Sequence, residues 1–270
     1  MQTLRYYISV GWHMLGIRLK AQMEYPSFLI GWGLSNAMQF LVGIGTLKVL
    51  TTQFNGINGW SFKQIAFLYG IGIISHGIVI IFFIQTWGIE WYARNGRFDL
   101  MLTRPMNVFF QFSVYNLNLI GVTDLIPGVI IFIYGVTAVR LAFTPLHTLY
   151  LLCAILGGVL IRGGIYTAVG SLAFWTKSSR PMIEAVNTLF GQIMMYPLTI
   201  FNRVVQALLT FALPLGFIAF YPAAGLLQKP TGFALPGALP LWSLGTGLVM
   251  TAVGQIIFWL GMRQYDSAGS

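Results

Sequence analysis

The chain has 270 residues, 57% of them hydrophobic and only 8% charged, with a mean hydropathy of +0.77. Ordinary soluble domains carry roughly 25% charged residues, so the composition excludes a water-soluble fold. The net charge of +9 comes from cations dispersed at segment ends, which argues against a nucleic-acid partner, and the single cysteine, Cys153, excludes an internal disulfide and has no metal-ligand spacing.

A membrane-spanning helix needs about 20 mostly apolar residues. The charge-free windows at 25–47, 64–89 and 185–202 approach or exceed that length, and runs such as 71–84 are apolar all round rather than alternating, so the spans read as helices and not as barrel strands. Residues 1–24 place Leu4, Ile8, Trp12, Leu15, Leu19 and Met23 on one arc, and Arg5, Ser9, His13, Lys20 and Glu24 on the next. This pattern predicts an amphipathic helix lying at the membrane surface. Arg5, Arg18 and Lys20 interrupt the first apolar stretch and no small-residue cleavage site follows, so these residues are expected to stay in the mature protein.

Pro26 then punctuates the chain, and a first span is predicted at 26–50, with Ser35, Asn36 and Gln39 on a side expected to face protein. The polar turn 51–61, with Asn55-Gly56 and Asn58-Gly59, leads into a second span at 64–87 carrying Ser75 and His76 near mid-depth. Residues 88–107 are more polar and are predicted to be cytoplasmic. A third span follows at 117–138 through Asp124 and Pro127, and a fourth at 147–175 through Arg162; Gly157, Gly158, Gly163, Gly164 and Ala168 suit close helix contact there. The stretch 183–227 is long for one span and crowded for two. It is read as a fifth span at 183–201 and a re-entrant pair of short helices at 202–225, broken by Pro197, Arg203, Pro214 and Pro222. A last span covers 238–262.

Lysines and arginines set the orientation. One side collects Arg5, Arg18, Lys20, Arg94, Arg97, Arg104, Lys177, Arg180 and Arg263, the other Lys48, Lys63, Arg140, Arg203 and Lys229, which places both termini in the cytoplasm. Trp87, Trp91, Trp175 and Trp259 are expected at the inner interface, and Trp60 and Trp242 at the outer one.

No G-x-x-x-x-G-K-[ST] loop occurs, nor G-x-S-x-G or H-E-x-x-H, so neither ATP hydrolysis nor hydrolase chemistry is expected in this chain, and no catalytic residue is assigned. His13, His76 and His147 lie on different segments and suggest no metal site. Asp124 and Arg162 are the intramembrane charges, each costing roughly 2.5–3.5 kcal/mol near a helix centre. They read as a structural ion pair between neighbouring helices, or else as a substrate or proton site. The segment 88–105 mixes aromatics with charges: it reads either as an interfacial helix anchored by Trp91 and Tyr92, or as a docking element using Glu90, Arg94 and Arg97, with Gly96 ending one turn and Asp99 capping the next.

The run Gly96-Arg-Phe-Asp-Leu-Met-Leu-Thr-Arg-Pro105 resembles the cytoplasmic motif of type-two ABC permeases, the export-class membrane subunits of bacterial ATP-binding-cassette transporters. Tyr196-Pro-Leu-Thr-Ile-Phe201, followed by Leu213, Pro214, Phe217 and Tyr221-Pro-Ala223, is similar to that family's signature before its final span. The resemblance implies an all-α bundle of six transmembrane helices in the bacterial cytoplasmic (inner) membrane, with an N-terminal interfacial helix and a re-entrant hairpin. It implies two ATP-binding-cassette ATPase subunits and a second permease, identical or paralogous, as partners; ATP and Mg would sit on the ATPase subunits, with no cofactor in this chain. Glu90, Trp91, Tyr92, Arg94, Asn95, Gly96, Arg97 and Asp99 would form the ATPase-coupling element, and Pro197, Phe201, Arg203, Pro214, Tyr221 and Pro222 the outer gate. The expected function is export of an amphipathic substrate by alternating access. The alternative is an ion-coupled carrier using Asp124 and His76, which calls for inverted repeats that the sequence does not display.

Overall fold

The computed structural model describes residues 2–233, 235 and 238–266; within the first helix the side chains of residues 2–8 and of Arg18 are outside the described set. The Leu4, Arg5 and Ile8 part of the amphipathic pattern, and the side chain of Arg18 among the cytoplasmic cations, therefore lie outside the described residues.

The described chain is helical, and its helix starts are written in the sequence. Helix α1 is Gln2–Met23 and α2 is Pro26–Gln53, which opens on a proline whose missing N–H costs nothing at a first turn. Helix α3, Phe62–Phe83, starts with a capping box in which the Ser61 N–H donates to Gln64 Oε1 at 3.0 Å. A 3-10 turn, Ile84–Gly88, continues into α4, Ile89–Arg94, and then α5, Arg97–Leu102. Asn107 caps α6, Val108–Tyr115, by accepting from the Phe110 N–H at 3.0 Å. Helix α7 is Ile120–Val139 and α8 is Pro145–Ser171, capped by Thr144. The short α9, Ala173–Thr176, precedes α10, Arg180–Ile193. After a 3-10 turn at Leu198–Ile200 come α11, Arg203–Ala207, with a π-turn at Leu208–Ala212, then α12, Phe220–Leu226, and α13, Leu239–Arg263.

Among the described residues, five helices are long and apolar enough to cross a bilayer: α2, α3 with its continuation, α7, α8 and α13. The stretch expected as a further span, 183–201, holds the 14 residues of α10 and a 3-10 turn. Ile183, Phe190 and Ile193 of α10 are buried while Glu184 is exposed, so this helix is one-sided.

Glycines decide how the long helices meet. On α7, Gly121, Gly128 and Gly135 recur every seven residues and face Gly77, Ile73 and Phe67 of the antiparallel α3. A Cβ on Gly70 would stand 2.6 Å from Phe132 Cα, so any side chain there would push the helices apart. On α8, Gly157 and Gly164 meet the backbone of the parallel α13, which answers with Gly247 and Gly254. Seven-residue spacing keeps one face of each helix smooth, and close backbone approach supplies the packing that lipid, as apolar as the side chains, does not drive. Helix α3 is thus central, with α7 on one flank and α8 on the other, whereas α2 touches the bundle along a narrow line and leaves Phe28, Met38, Leu41 and Val42 exposed.

Candidate functional site

At mid-bundle a chain of polar groups crosses four helices. Asn36 of α2 donates its amide to Asp124 Oδ1, and at 3.4 Å to Thr123 Oγ1. Asp124 Oδ2 stands 3.8 Å from His76 Nε2, within ion-pair range but too long for a hydrogen bond. On the far side of the ring, Arg162 Nη1 lies 2.9 Å from His76 Nδ1. A guanidinium offers only donors, so Nδ1 accepts, and the ring proton sits on Nε2, facing Asp124. Arg162 Nη2 donates to the Met194 sulfur, the guanidinium lies 4.8 Å from the Phe190 ring centroid, and Nε has no partner among the described residues. One turn further along α8, Tyr166 donates to Asn187 Oδ1 of α10 at 2.7 Å. Asp124 and Arg162 are both buried and are joined through His76 rather than by direct contact. Of the three α2 residues expected to face protein, Asn36 does so and Ser35 and Gln39 are exposed.

The segment around α4 and α5 is held by a second core. Phe98 is fully buried among Tyr92, Phe112, Phe174, Phe258 and Tyr265, with ring centroids 5.5–6.2 Å apart. Tyr92 also donates to Asn116 Oδ1 at 2.8 Å. Burial, with the nearby Asp99 carboxylate, pushes the Tyr265 hydroxyl up to about 12. Glu90 Oε2 accepts the backbone N–H groups of Ser179 (2.8 Å) and Arg180 (3.0 Å), sealing the start of α10. Those two bonds, and more weakly Arg94 at 3.5 Å, hold the Glu90 carboxyl below the usual glutamate range. Trp91 is 52% exposed, with Arg97 over its ring at 5.5 Å, and Arg94, Asn95 and Arg97 are exposed beside it. Gly96 adopts φ +65°, which favours glycine; it, and not Asp99, occupies the N-cap position of α5, and Asp99 falls in the first turn.

The third group is the 197–222 stretch. Asn202 caps α11 through the Val205 N–H (2.9 Å); Arg203 donates to the Gly232 carbonyl and lies 5.7 Å from the Phe233 ring centroid. Tyr221 is fully buried, its hydroxyl 2.6 Å from Thr210 Oγ1 and its ring 4.7 Å from Phe217. Pro197 and Phe201 flank the 3-10 turn before α11, Pro214 is buried after the π-turn, and Pro222 is buried inside α12. Both ends of the stretch meet the Asn-Gly loop at 55–59: Asn58 Nδ2 donates to Thr199 O at 2.6 Å, and Lys229 Nζ to Gly59 O at 2.8 Å. Its middle lies against α8 near Gly158, where a Cβ would stand 3.0 Å from Ile218 O. Trp60, expected in an interfacial belt, is instead buried against Phe220.

A family model described as ABC-2 family transporter protein matches residues 36–269. The chain belongs to this ABC-2 transporter family. No curated protein and no solved structure matches. The ABC-2 match takes in the polar chain, the α4–α5 segment and the 197–222 stretch, and leaves α1 outside it. With five helices able to span a bilayer, this ABC-2 protein is a multi-pass membrane protein of a transporter family.

Sequence reasoning missed several partners: Asn36, Phe190 and Met194 at the charged chain, Ser179 and Arg180 at Glu90, and Thr210 at Tyr221. A recurrent interval could have flagged the glycines of α7 and α13; the polar partners carry no such signal.

Proposed function

We propose that the chain is the membrane-spanning permease subunit of an ATP-binding-cassette exporter in the bacterial cytoplasmic membrane, with both termini cytoplasmic. It works as a pair with a second permease, each seated on an ATPase subunit, and moves an amphipathic substrate by alternating access. The family match over residues 36–269 carries this reading. The exposed Trp91, Arg94, Asn95 and Arg97 on a packed aromatic base support α4–α5 as the coupling element. A rigid base is what a push from a partner requires if it is to travel into the bundle. In this reading 183–201 brings the crossings to six, and 202–225 dips into the membrane from the side of the Asn-Gly loop. The contacts of its flanking residues Thr199 and Lys229 with residues 58–59 favour that re-entrant course.

The test is purification of the tagged protein with its natural neighbours, followed by reconstitution. An ATPase subunit should accompany it, and transport should need ATP and stop when Trp91 and Arg97 are both replaced by alanine. Transport by the lone chain, driven by an ion gradient and abolished in His76→Leu, would overturn the proposal in favour of the carrier reading, which the contacts of His76 with Asp124 and Arg162 keep specific.

A further inference from the structure

Between α1 and the α4–α6 segment lies a cleft of about 320 Å³, beside the exposed face of α4–α5. Its volume falls within the range of small-ligand sites, about 300–1,000 Å³. Arg97 and Arg104 stand on it, Trp91 and Tyr92 supply aromatic surface, Met14 and Leu100 add apolar surface, and among the described residues no acidic one lines it. Arg97 is stacked on Trp91 at 5.5 Å, which fixes its guanidinium before any ligand arrives. Arg104 is exposed. Gln111, buried at the wall, spends its amide N–H groups on the Met101 and Met106 carbonyls at 2.9 Å each, and its Oε1 has no partner among the described residues.

Two guanidiniums with no carboxylate among the described lining residues select an anion, and their planar forks suit a phosphate. The apolar wall and the exposed Leu100 and Leu102 beside it call for a ligand that is greasy on one side. Gln111 Oε1 lies buried behind the wall, within reach of a ligand hydroxyl only if the side chain turns toward the cleft. We propose that this cleft binds the headgroup of an anionic, hydroxyl-bearing phospholipid, such as a phosphoglycerol lipid, as a fixed component of the subunit and not as its cargo. The assignment rests on α1 lying at the membrane surface, where headgroups are within reach.

The test titrates the purified chain in detergent, without any ATPase, with phosphatidylglycerol and with phosphatidylcholine of the same acyl chains, and counts bound lipid by native mass spectrometry. Because only binding is read, the result is independent of whether the chain is a permease. The first phosphatidylglycerol should bind at least about tenfold tighter than phosphatidylcholine, and R97Q and R104Q should each remove roughly tenfold, the loss expected for one charge-assisted contact. K48Q, on a lysine outside the cleft, should leave binding unchanged. Should R97Q not purify as a single species, R104Q alone decides, because the Arg104 side chain is exposed. Equal binding of the two lipids, or an equal loss in K48Q, would overturn the proposal. Displacement of the lipid by an equal concentration of inorganic phosphate would overturn the lipid assignment in favour of a free-phosphate site.

Discussion

Gly247 and Gly245 sit two residues apart on α13 and point to opposite sides of it. A Cβ on Gly247 would stand 2.8 Å from the Gly157 carbonyl oxygen, 2.8 Å from Leu160 Cβ and 3.2 Å from Gly157 Cα, whereas one on Gly245 would meet nothing within 4 Å. Optimal carbon contacts lie at about 3.5–4.0 Å, so Gly247→Ala must drive α13 off α8 by several tenths of an ångström along the contact that also holds Gly164 and Gly254. Overpacking of this kind costs about 1–3 kcal/mol, against a gain of about 0.5–1 kcal/mol for replacing a mid-helix glycine by alanine. Gly245→Ala keeps the gain alone. The two variants should therefore differ by about 1–3 kcal/mol, with Gly247→Ala below the parent and Gly245→Ala at or above it. At about 2–4 °C per kcal/mol for a chain of this size, thermal melting in one detergent should separate them by several degrees. Equal midpoints, or the reverse order, would refute the claim that backbone-to-backbone contact holds α8 against α13.

Asp124 and Arg162 should show a coupling of about 0.5–3 kcal/mol in a double-mutant stability cycle with Asp124→Asn and Arg162→Gln; because His76 stands between them, the coupling should collapse in a His76→Leu background, and its survival there would remove the bridge. Glu90→Gln should lower stability near neutral pH. The carboxyl is held below its ordinary range in the fold, so its contribution is present above the unfolded pKa and is lost as pH falls through the folded one; the gap between parent and variant should narrow on acidification, and a gap that widens would contradict the sign. Tyr221→Phe should cost about 0.5–1.5 kcal/mol, because Thr210 Oγ1 keeps its bond to the Gln206 carbonyl and loses only the one from the Tyr221 hydroxyl at 2.6 Å; Thr210→Val in that background should cost little more in the same melting assay.

The long helices were legible because punctuation and hydrophobicity agree. Pro26, Pro145 and the two Asn-Gly pairs mark ends that the fold honours, and in the loop Asn55, Gly56, Asn58 and Gly59 all take positive φ. The polar chain was only half legible. An intramembrane charge declares itself as costly, so Asp124, Arg162 and His76 stand out. Which of them touch depends on α3 lying between α7 and α8, a tertiary fact written in glycine spacing over separate segments. The cluster at Gly157, Gly158, Gly163 and Gly164 was read, whereas the seven-residue recurrence of Gly121, Gly128 and Gly135 was not. Counting uncharged windows also hides α10, since a window at 185–202 scores the same whether the helix is buried on one face or on all. Its one-sidedness, with Ile183 and Phe190 inward and Glu184 outward, lies in the pattern and not in the sum.

Geometry also divides the presumptive coupling residues by task. Both Glu90 oxygens are engaged, one by two backbone N–H groups of α10 and the other by Arg94, and Tyr92 is committed to Asn116 and the ring cluster. Groups already satisfied in this way gain little from a new partner. Trp91, Asn95 and Arg97 instead present surface. Helix α10 then links the two regions: its first turn rests on Glu90, and near its other end Phe190 and Met194 lie on Arg162. Its 14 residues at 1.5 Å each span about 21 Å. If α4 is the coupling element, as proposed, a movement of it would meet the buried Arg162 along one unbroken helix, and the contacts of Arg162 with His76, and of Asp124 with Asn36, would lead on to α2, which touches the rest of the bundle only along a narrow line.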